Sequence, residues 1–231
     1  MDPNVPNDLS ASATNVLPRK LGKYVLKREL GSGATSTVYL ADDPFHVREV
    51  AVKVVRWQSS EATERDLADA ALRTEAMLLG KLNHPHIVKV FDVVNDGEDH
   101  YVVMELVGGG SMERYTRRGY LLEYPKAVDA VFKCAKALQY MNGLGLIHRD
   151  IKPANILLTV LGDVRLSDLG ATLLSSDDSS TSLNAGTPFY MSPEQLLERP
   201  LEFRSDMFSL GVVFYELLTG EKPFDALNVN Q

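Results

Sequence analysis

Hydrophobic and polar positions follow period two along the first half of the chain and helical spacing along the second. Tyr24–Leu30, Thr37–Ala41 and Val50–Val55 are short apolar runs that predict three strands, joined by a Gly-rich turn and a polar loop. Glu61–Leu82 predicts a helix, with Leu67, Ala71, Leu72, Ala76 and Leu79 as its apolar stripe. Ile87–Val94 and Tyr101–Leu106 predict two more strands around an Asn95-Asp96-Gly97 hairpin turn. After Pro125, which suits a first helical turn, Ala127, Val131, Cys134, Leu138 and Met141 recur at 4-3-4-3 spacing until Gly143 and Gly145 stop the helix. Ile156–Thr159 and Val164–Ser167 predict a short hairpin around Gly162-Asp163. Met207–Leu218 is apolar nearly all round, which predicts a helix buried on most sides.

These elements predict an α+β chain. Its first half is a five-stranded antiparallel sheet plus one helix, and its second half is mainly helical. Gly108-Gly109-Gly110 divides the halves as a natural hinge. The opening residues, rich in Asn, Pro, Ser and Ala, have no period and read as a disordered leader. The expected division is 1–20 leader, 21–107 first lobe and 108–231 second lobe.

Composition narrows the function classes. At 45% hydrophobic residues, 231 residues suffice for one large core or two small ones. Asp and Glu total 31 against 24 Lys and Arg, a net charge of −7 that argues against nucleic acid as the main partner. Cys134 is the one cysteine, so no disulfide forms within the chain, as expected of a cytoplasmic protein. It falls in the apolar helical pattern and reads as core packing. No apolar run approaches the ~18 residues of a membrane span, and the N-terminus lacks the pattern of a signal peptide.

Several residues carry candidate chemistry. Gly31-Ser32-Gly33-Ala34-Thr35-Ser36 is a Gly-rich turn between two strands, which would let backbone amides approach a phosphate; alone it fits an ordinary hairpin equally well. Its strand-to-strand setting speaks against a dinucleotide fold and a Walker-type loop. Lys53, in Val50-Ala51-Val52-Lys53, needs an anion if it faces inward, and Glu75 on the following helix is available; an edge lysine in solvent is the plainer reading. His148-Arg149-Asp150-Ile151-Lys152-Pro153-Ala154-Asn155 is harder to read as a surface loop. Asp150 could accept a hydroxyl proton, Lys152 could balance phosphate charge and Asn155 could ligate a hard metal. Asp168-Leu169-Gly170 could add a metal-binding carboxylate, although Asp-x-Gly alone is a common turn. Gly186-Thr187-Pro188-Phe189-Tyr190-Met191-Ser192-Pro193-Glu194 follows, and then Asp206 at the head of the buried helix.

Taken together, in this order and spacing, these strings resemble the protein-kinase signature set from about Tyr24 to Phe224. Lys152, two residues after Asp150, and the Gly-Thr-Pro-Phe-Tyr-Met-Ser-Pro-Glu string are similar to the Ser/Thr branch, and the texture resembles bacterial eukaryotic-like (Hanks-type) kinases. The resemblance implies a bilobal protein-kinase fold and transfer of the ATP γ-phosphate to Ser or Thr hydroxyls of protein substrates. It implies that Gly31, Ser32 and Gly33 cover the ATP phosphates, and that Lys53 contacts them while pairing with Glu75. It implies that Asp150 orients the substrate hydroxyl beside Lys152, and that Asn155 and Asp168 hold Mg2+. Met104 matches the gatekeeper, Glu105 and Val107 the hinge backbone that meets adenine, and Val38, Ala51 and Leu157 the residues that sandwich its ring. Leu79, Val90, Leu169 and His148 match the spine that links the lobes, anchored by Asp206. Thr181 matches a position that related bacterial kinases phosphorylate.

Departures from the family pattern are Ser36 for the third glycine, Leu169 for Phe, and Ser192 for Ala. None removes a catalytic group. The family continues past Phe224 with helices, one of which supplies an Arg to Glu194; the chain is expected to be a truncated piece, with regulatory domains or a dimer partner in the full-length protein. The competing expectation is a truncated kinase or pseudokinase that binds nucleotide or a partner without activity. A small-molecule phosphotransferase is disfavoured by the Gly186–Glu194 string. Ser111 and Ala154 stand where Arg-directed kinases carry carboxylates, so no strong preference for basic flanks is expected.

Overall fold

The structure, a computed structural model, describes residues 17–33, 36–55, 80, 82–96, 99–169, 173–174 and 188–224. The first half forms a six-stranded antiparallel sheet from β1 (Arg19–Leu21), β2 (Tyr24–Ser32), β3 (Ser36–Asp43), β4 (Arg48–Val55), β5 (Val90–Asp96) and β6 (Asp99–Glu105). Their order across the sheet is β1-β2-β3-β4-β6-β5. Five strands were expected. The sixth, β1, lies at the end of the segment read as leader, where a three-residue Arg-Lys-Leu run is too short and too basic to show a period. It is held by antiparallel pairing with Tyr24–Leu26 and by burial of Leu21.

Alternation decides what each face of this sheet does. Tyr24, Leu26, Tyr39, Ala41, Val50, Val52, Tyr101 and Val103 point one way and close a core. Residues one step out of phase, Val38, Ala51, Lys53 and Met104, are left for the other face. The expected helix over Glu61–Leu82 and its partner residue Glu75 lie outside the described residues, except that Leu82 belongs to a non-helical stretch and packs into the core of the second half.

The second half is built on α1 (Tyr124–Gly143) and α3 (Phe203–Thr219), with the short α2 (Pro193–Leu196) between them. Two small antiparallel pairs complete it: β8 (Ile156–Leu158) with β9 (Val164–Leu166), and β7 (Leu146–Ile147) with β10 (Leu173–Leu174). Ala127, Ala130, Cys134, Ala137, Leu138 and Met141 form the buried face of α1; the predicted stripe supplies all but Ala130 and Ala137, and its Val131 is only partly buried. They meet Leu210, Val213 and Leu217 of α3. Fully burying a side chain such as Leu138 contributes about 1.5–3 kcal/mol. The α3 helix is less enclosed than its composition suggested, since Met207, Tyr215 and Leu218 lie along an exposed edge while Glu216 is buried.

The triglycine joins the halves. Gly109 N–H donates to Leu158 O at 2.7 Å and Leu158 N–H returns a bond to Gly110 O at 2.8 Å. A Cβ on Gly109 would sit 2.3 Å from the carbonyl oxygens of both Leu158 and Thr159, so only glycine fits there. The loop Asn83–Lys89 is the second join: Val88 N–H donates to Leu166 O and Leu166 N–H to His86 O, both at 2.8 Å.

Candidate active site

The upper wall of the site comes from the sheet register. Val38 pairs across strands with Lys53, Lys53 with Val102, and Ala51 with Met104, which places these side chains on one face. Ala51 is buried, while Val38, Met104 and Leu157 are partly buried. Leu157 reaches the site from β8, next to Ser111. Beyond the strand, the Val107 N–H makes no hydrogen bond among the described residues, so a hinge donor is available. Glu105 N–H instead donates to Lys89 O at 2.8 Å. A Cβ on Gly31 would meet nothing within 4 Å, and on Gly33 only Ser36 O at 3.8 Å. The space around the turn, not its packing, is what glycine preserves.

The lower wall is the loop from His148 to Asn155. Two buried groups shape it. Asp206, at the head of α3, accepts the backbone N–H of His148 and of Arg149, each at 2.8 Å. The fully buried His148 ring contacts Ser167 O through Nε2 at 3.1 Å. Burial pushes the Asp206 carboxyl above the usual range, against the pull of His148 and of the two N–H groups. Arg149 sits in the left-handed region at φ +71°, and Asp168 at φ +59°. Each such residue costs on the order of 1–3 kcal/mol, which the bonds that fix it must offset. The Arg149 guanidinium is half-buried, and burial lowers its basicity in spite of Asp206. It makes no ion pair among the described residues.

Within the loop, Asp150 Oδ2 accepts from Lys152 Nζ at 2.7 Å and from Asn155 Nδ2 at 2.8 Å. Asn155 Nδ2 also donates to Asp150 O at 2.9 Å. With its amide nitrogen spent on Asp150, Asn155 has a side-chain oxygen that accepts no hydrogen bond among the described residues. Asp150 Oδ1 likewise has no partner among the described residues. Ser167 donates to Asn155 O from its N–H at 2.9 Å and from Oγ at 3.0 Å, which fixes the strand leading to Asp168 beside Asn155.

Lys53 and Asp168 form an ion pair across the two walls. Burial raises the Asp168 carboxyl, but the Lys53 ammonium, with His148 and Lys152, outweighs it and holds the carboxyl below its usual value. Lys53 was expected to pair with Glu75. That residue is outside the described set, and the described partner is Asp168. The donor set suits a hard cation: one carboxylate and one amide oxygen, with no group of three His, Cys, Asp or Glu side chains among the described residues. Mg2+ is commonly held by one or two carboxylates together with substrate phosphates and water, so the residues present fit it.

Downstream, Phe189 and Tyr190 lie in a turn over Pro188–Tyr190, and Lys222 lies 4.4 Å from the Phe189 ring. Tyr190 Oη donates to the buried Glu216 at 2.7 Å, and Ser209 Oγ donates to Tyr190 O at 2.7 Å. Burial and then Glu216 push the Tyr190 hydroxyl far above its usual range. Glu194, expected to lack its Arg partner, has another among the described residues. It accepts from Ser205 Oγ at 2.6 Å; burial raises its carboxyl, but that bond, together with a backbone N–H, Ser192 and Arg204, holds it below its usual value. Ser205, Gln195 and Glu216 escaped the sequence reading. Ser192-x-x-Gln195 is a capping-box pattern that could have flagged Gln195. The acceptors Ser175 to Ser182, together with Gly170, Gly186 and Thr187, are outside the described residues. So is Leu79; Val90 packs against the core cluster that includes Leu169, and His148 is buried.

Comparison with known proteins fits this arrangement. Residues 24–231 match the protein kinase domain family model. A probable serine/threonine-protein kinase of Clostridium acetobutylicum is 35% identical over 206 residues, covering 88% of this chain and 31% of that protein. Serine/threonine-protein kinase PrkC of Bacillus subtilis is 34% identical, with 88% and 31% covered. Serine/threonine-protein kinase PknL of Mycobacterium tuberculosis is 39% identical, with 87% and 50% covered. The chain thus spans about a third of the length of the first two relatives. With a match over nearly its whole length, the chain belongs to the protein kinase domain family.

Proposed function

We propose that this chain is the catalytic domain of a protein kinase that transfers the ATP γ-phosphate to Ser or Thr hydroxyls of protein substrates. The observation that carries the proposal is the convergence on Asp150. Lys152 and Asn155 both hold its Oδ2, which leaves Oδ1 to receive a substrate hydroxyl. The hydroxyl oxygen bonds to the γ-phosphorus as the bridging P–O bond breaks, ADP leaves with that electron pair, and the proton passes toward Asp150. Lys152 offsets negative charge beside the acceptor. Lys53 orients the α- and β-phosphates below Gly31, Ser32 and Gly33. Val38, Ala51 and Leu157 enclose adenine beside Met104, and Glu105 and Val107 meet its edge. Asn155 and Asp168 would hold Mg2+, whose chemistry is to neutralise charge on the β- and γ-phosphates.

The lobes divide at 107/108 in this reading. The buried Cys134 thiol, pushed up to about 12 by burial, is inert and suits a cytoplasmic setting. Among the described residues no helix is long and apolar enough to cross a membrane. Full-length protein given radiolabelled MgATP and a generic protein substrate is expected to incorporate label. Lys53→Met is expected to lower incorporation by about 10²-fold or more, since a preorganised charge on the phosphates is lost. Wild-type protein that binds MgATP but transfers nothing would overturn the proposal in favour of a non-catalytic nucleotide-binding module.

A further inference from the structure

Gln195 makes two contacts with different consequences. Its Oε1 accepts the Ser192 N–H at 3.0 Å, and its own N–H donates to Ser192 Oγ at 3.3 Å, which closes a reciprocal cap on α2. Its Nε2 then donates to the backbone oxygen of Arg149 at 2.8 Å, 46 residues away. That oxygen belongs to the peptide between Arg149 and Asp150. Arg149 has φ +71°, and its N–H is fixed by Asp206 at 2.8 Å. The following N–H, of Asp150, has only a 3.4 Å contact with His148 Nδ1. Rotation of this one peptide would swing Asp150 away from its partners, and Gln195 is the short bond that opposes it.

The contact also closes a ring. Neighbouring residues of α2 face two ways: Glu194 accepts from Ser205 on α3 at 2.6 Å, while Gln195 reaches the loop. Neighbouring residues of α3 do the same, with Ser205 toward α2 and Asp206 toward the loop. The strained residue is gripped at its N–H from α3 and at its C=O from α2. The α2 helix follows directly on the turn that holds Phe189 and Tyr190.

We propose that Gln195 is a positioning residue for phosphoryl transfer: through the Arg149 carbonyl it sets the orientation of Asp150 and ties it to the Pro188–Tyr190 segment. This rests on the kinase reading above. The test uses full-length protein with MgATP and a peptide substrate, with wild-type turnover as the control; a wild type without turnover overturns the kinase reading itself. Gln195→Glu keeps the chain length and the acceptor for Ser192 N–H but loses the donor to Arg149 O. It is expected to lower kcat about 10- to 100-fold, the scale of a small misplacement of a reacting group, with KM for ATP within about twofold. Ser192→Ala weakens the cap of α2 but keeps the Gln195 amide, so it is expected to lower Tm while losing less than about threefold in kcat. Wild-type kcat in Gln195→Glu would overturn the proposal. So would parallel losses of Tm and kcat in both variants, since the cap alone would then explain them.

Discussion

Asp163 shows how much one turn residue can gather. Lys133 Nζ lies 2.9 Å from its carboxylate, Arg165 Nη1 3.0 Å and His86 Nδ1 3.7 Å. Its carboxyl is lowered to about 2, chiefly by Lys133, with Arg165 adding to it and burial opposing. The folded value lies below the unfolded value of about 3.9. The stability it contributes is therefore present above about pH 4 and is lost as pH falls toward 2. Because the group is partly exposed, that contribution is below about 1 kcal/mol. Urea unfolding of wild type and Asp163→Asn should differ by a constant amount from pH 7 to 5, and the gap should narrow below pH 4. A gap that widens in acid would contradict the assignment. The sequence marked Gly162-Asp163 only as a turn. Lys53, Asp150, Lys152, Asn155 and Asp168 were legible because each belongs to a short string with fixed spacing. Pairings such as Asp163 with Lys133, or Lys53 with Asp168, join residues far apart in the chain, and no local pattern encodes them.

At the scale of elements, the sharpest expectation falls on the triglycine. Gly109 packs its backbone against the β8–β9 hairpin so closely that a methyl group would sit 2.3 Å from two carbonyl oxygens. Neither oxygen is at the end of a flexible side chain, so the linker itself must move. Gly109→Ala should destabilise the protein by about 1–3 kcal/mol, as other forced overpacking does. It should also raise KM for ATP, because Val107 and Leu157 lie at either end of this contact. Thermal melts and ATP titrations of the variant check both, and an unchanged melt would refute the close packing. Gly108 to Gly110 was legible as a hinge from composition alone, but the reason for Gly109 needed the fold. Among the described elements, α1, α3 and the longer strands were legible from the pattern to within a few residues, whereas the two-residue β7 and β10 were not. The exceptions have physical causes: β1 is too short to show a period, and the stripe Met207, Tyr215 and Leu218 is apolar yet exposed, because hydrophobicity records what a residue tolerates and not what covers it.

For the whole molecule, the described residues join the two halves through the Lys53–Asp168 and Arg165–Glu105 ion pairs and through two backbone joins. Lys53 holds Asp168 from above, and the Asn83–Lys89 loop and the triglycine hold the β8–β9 hairpin. In the loop that bears Asp150, Arg149 has its backbone fixed on both sides while its half-buried guanidinium makes no ion pair among the described residues. A half-buried guanidinium favours an anionic partner, and a phosphate with about −1.5 to −2 charge and three acceptor oxygens suits it well. Thr181 and Ser182 lie in the segment between Asp168 and Glu194, within the same chain as the proposed donor site. Autophosphorylation there is expected to supply an anion for Arg149 and so stabilise the loop that bears Asp150. Mass spectrometry of full-length protein incubated with MgATP should find phosphate between Ser175 and Ser182. Thr181→Ala with Ser182→Ala should lower turnover, and Arg149→Ala should abolish the difference between the phosphorylated and dephosphorylated forms. Turnover that is unaffected by the double substitution would remove this regulatory role and leave the transfer chemistry of Asp150 untouched.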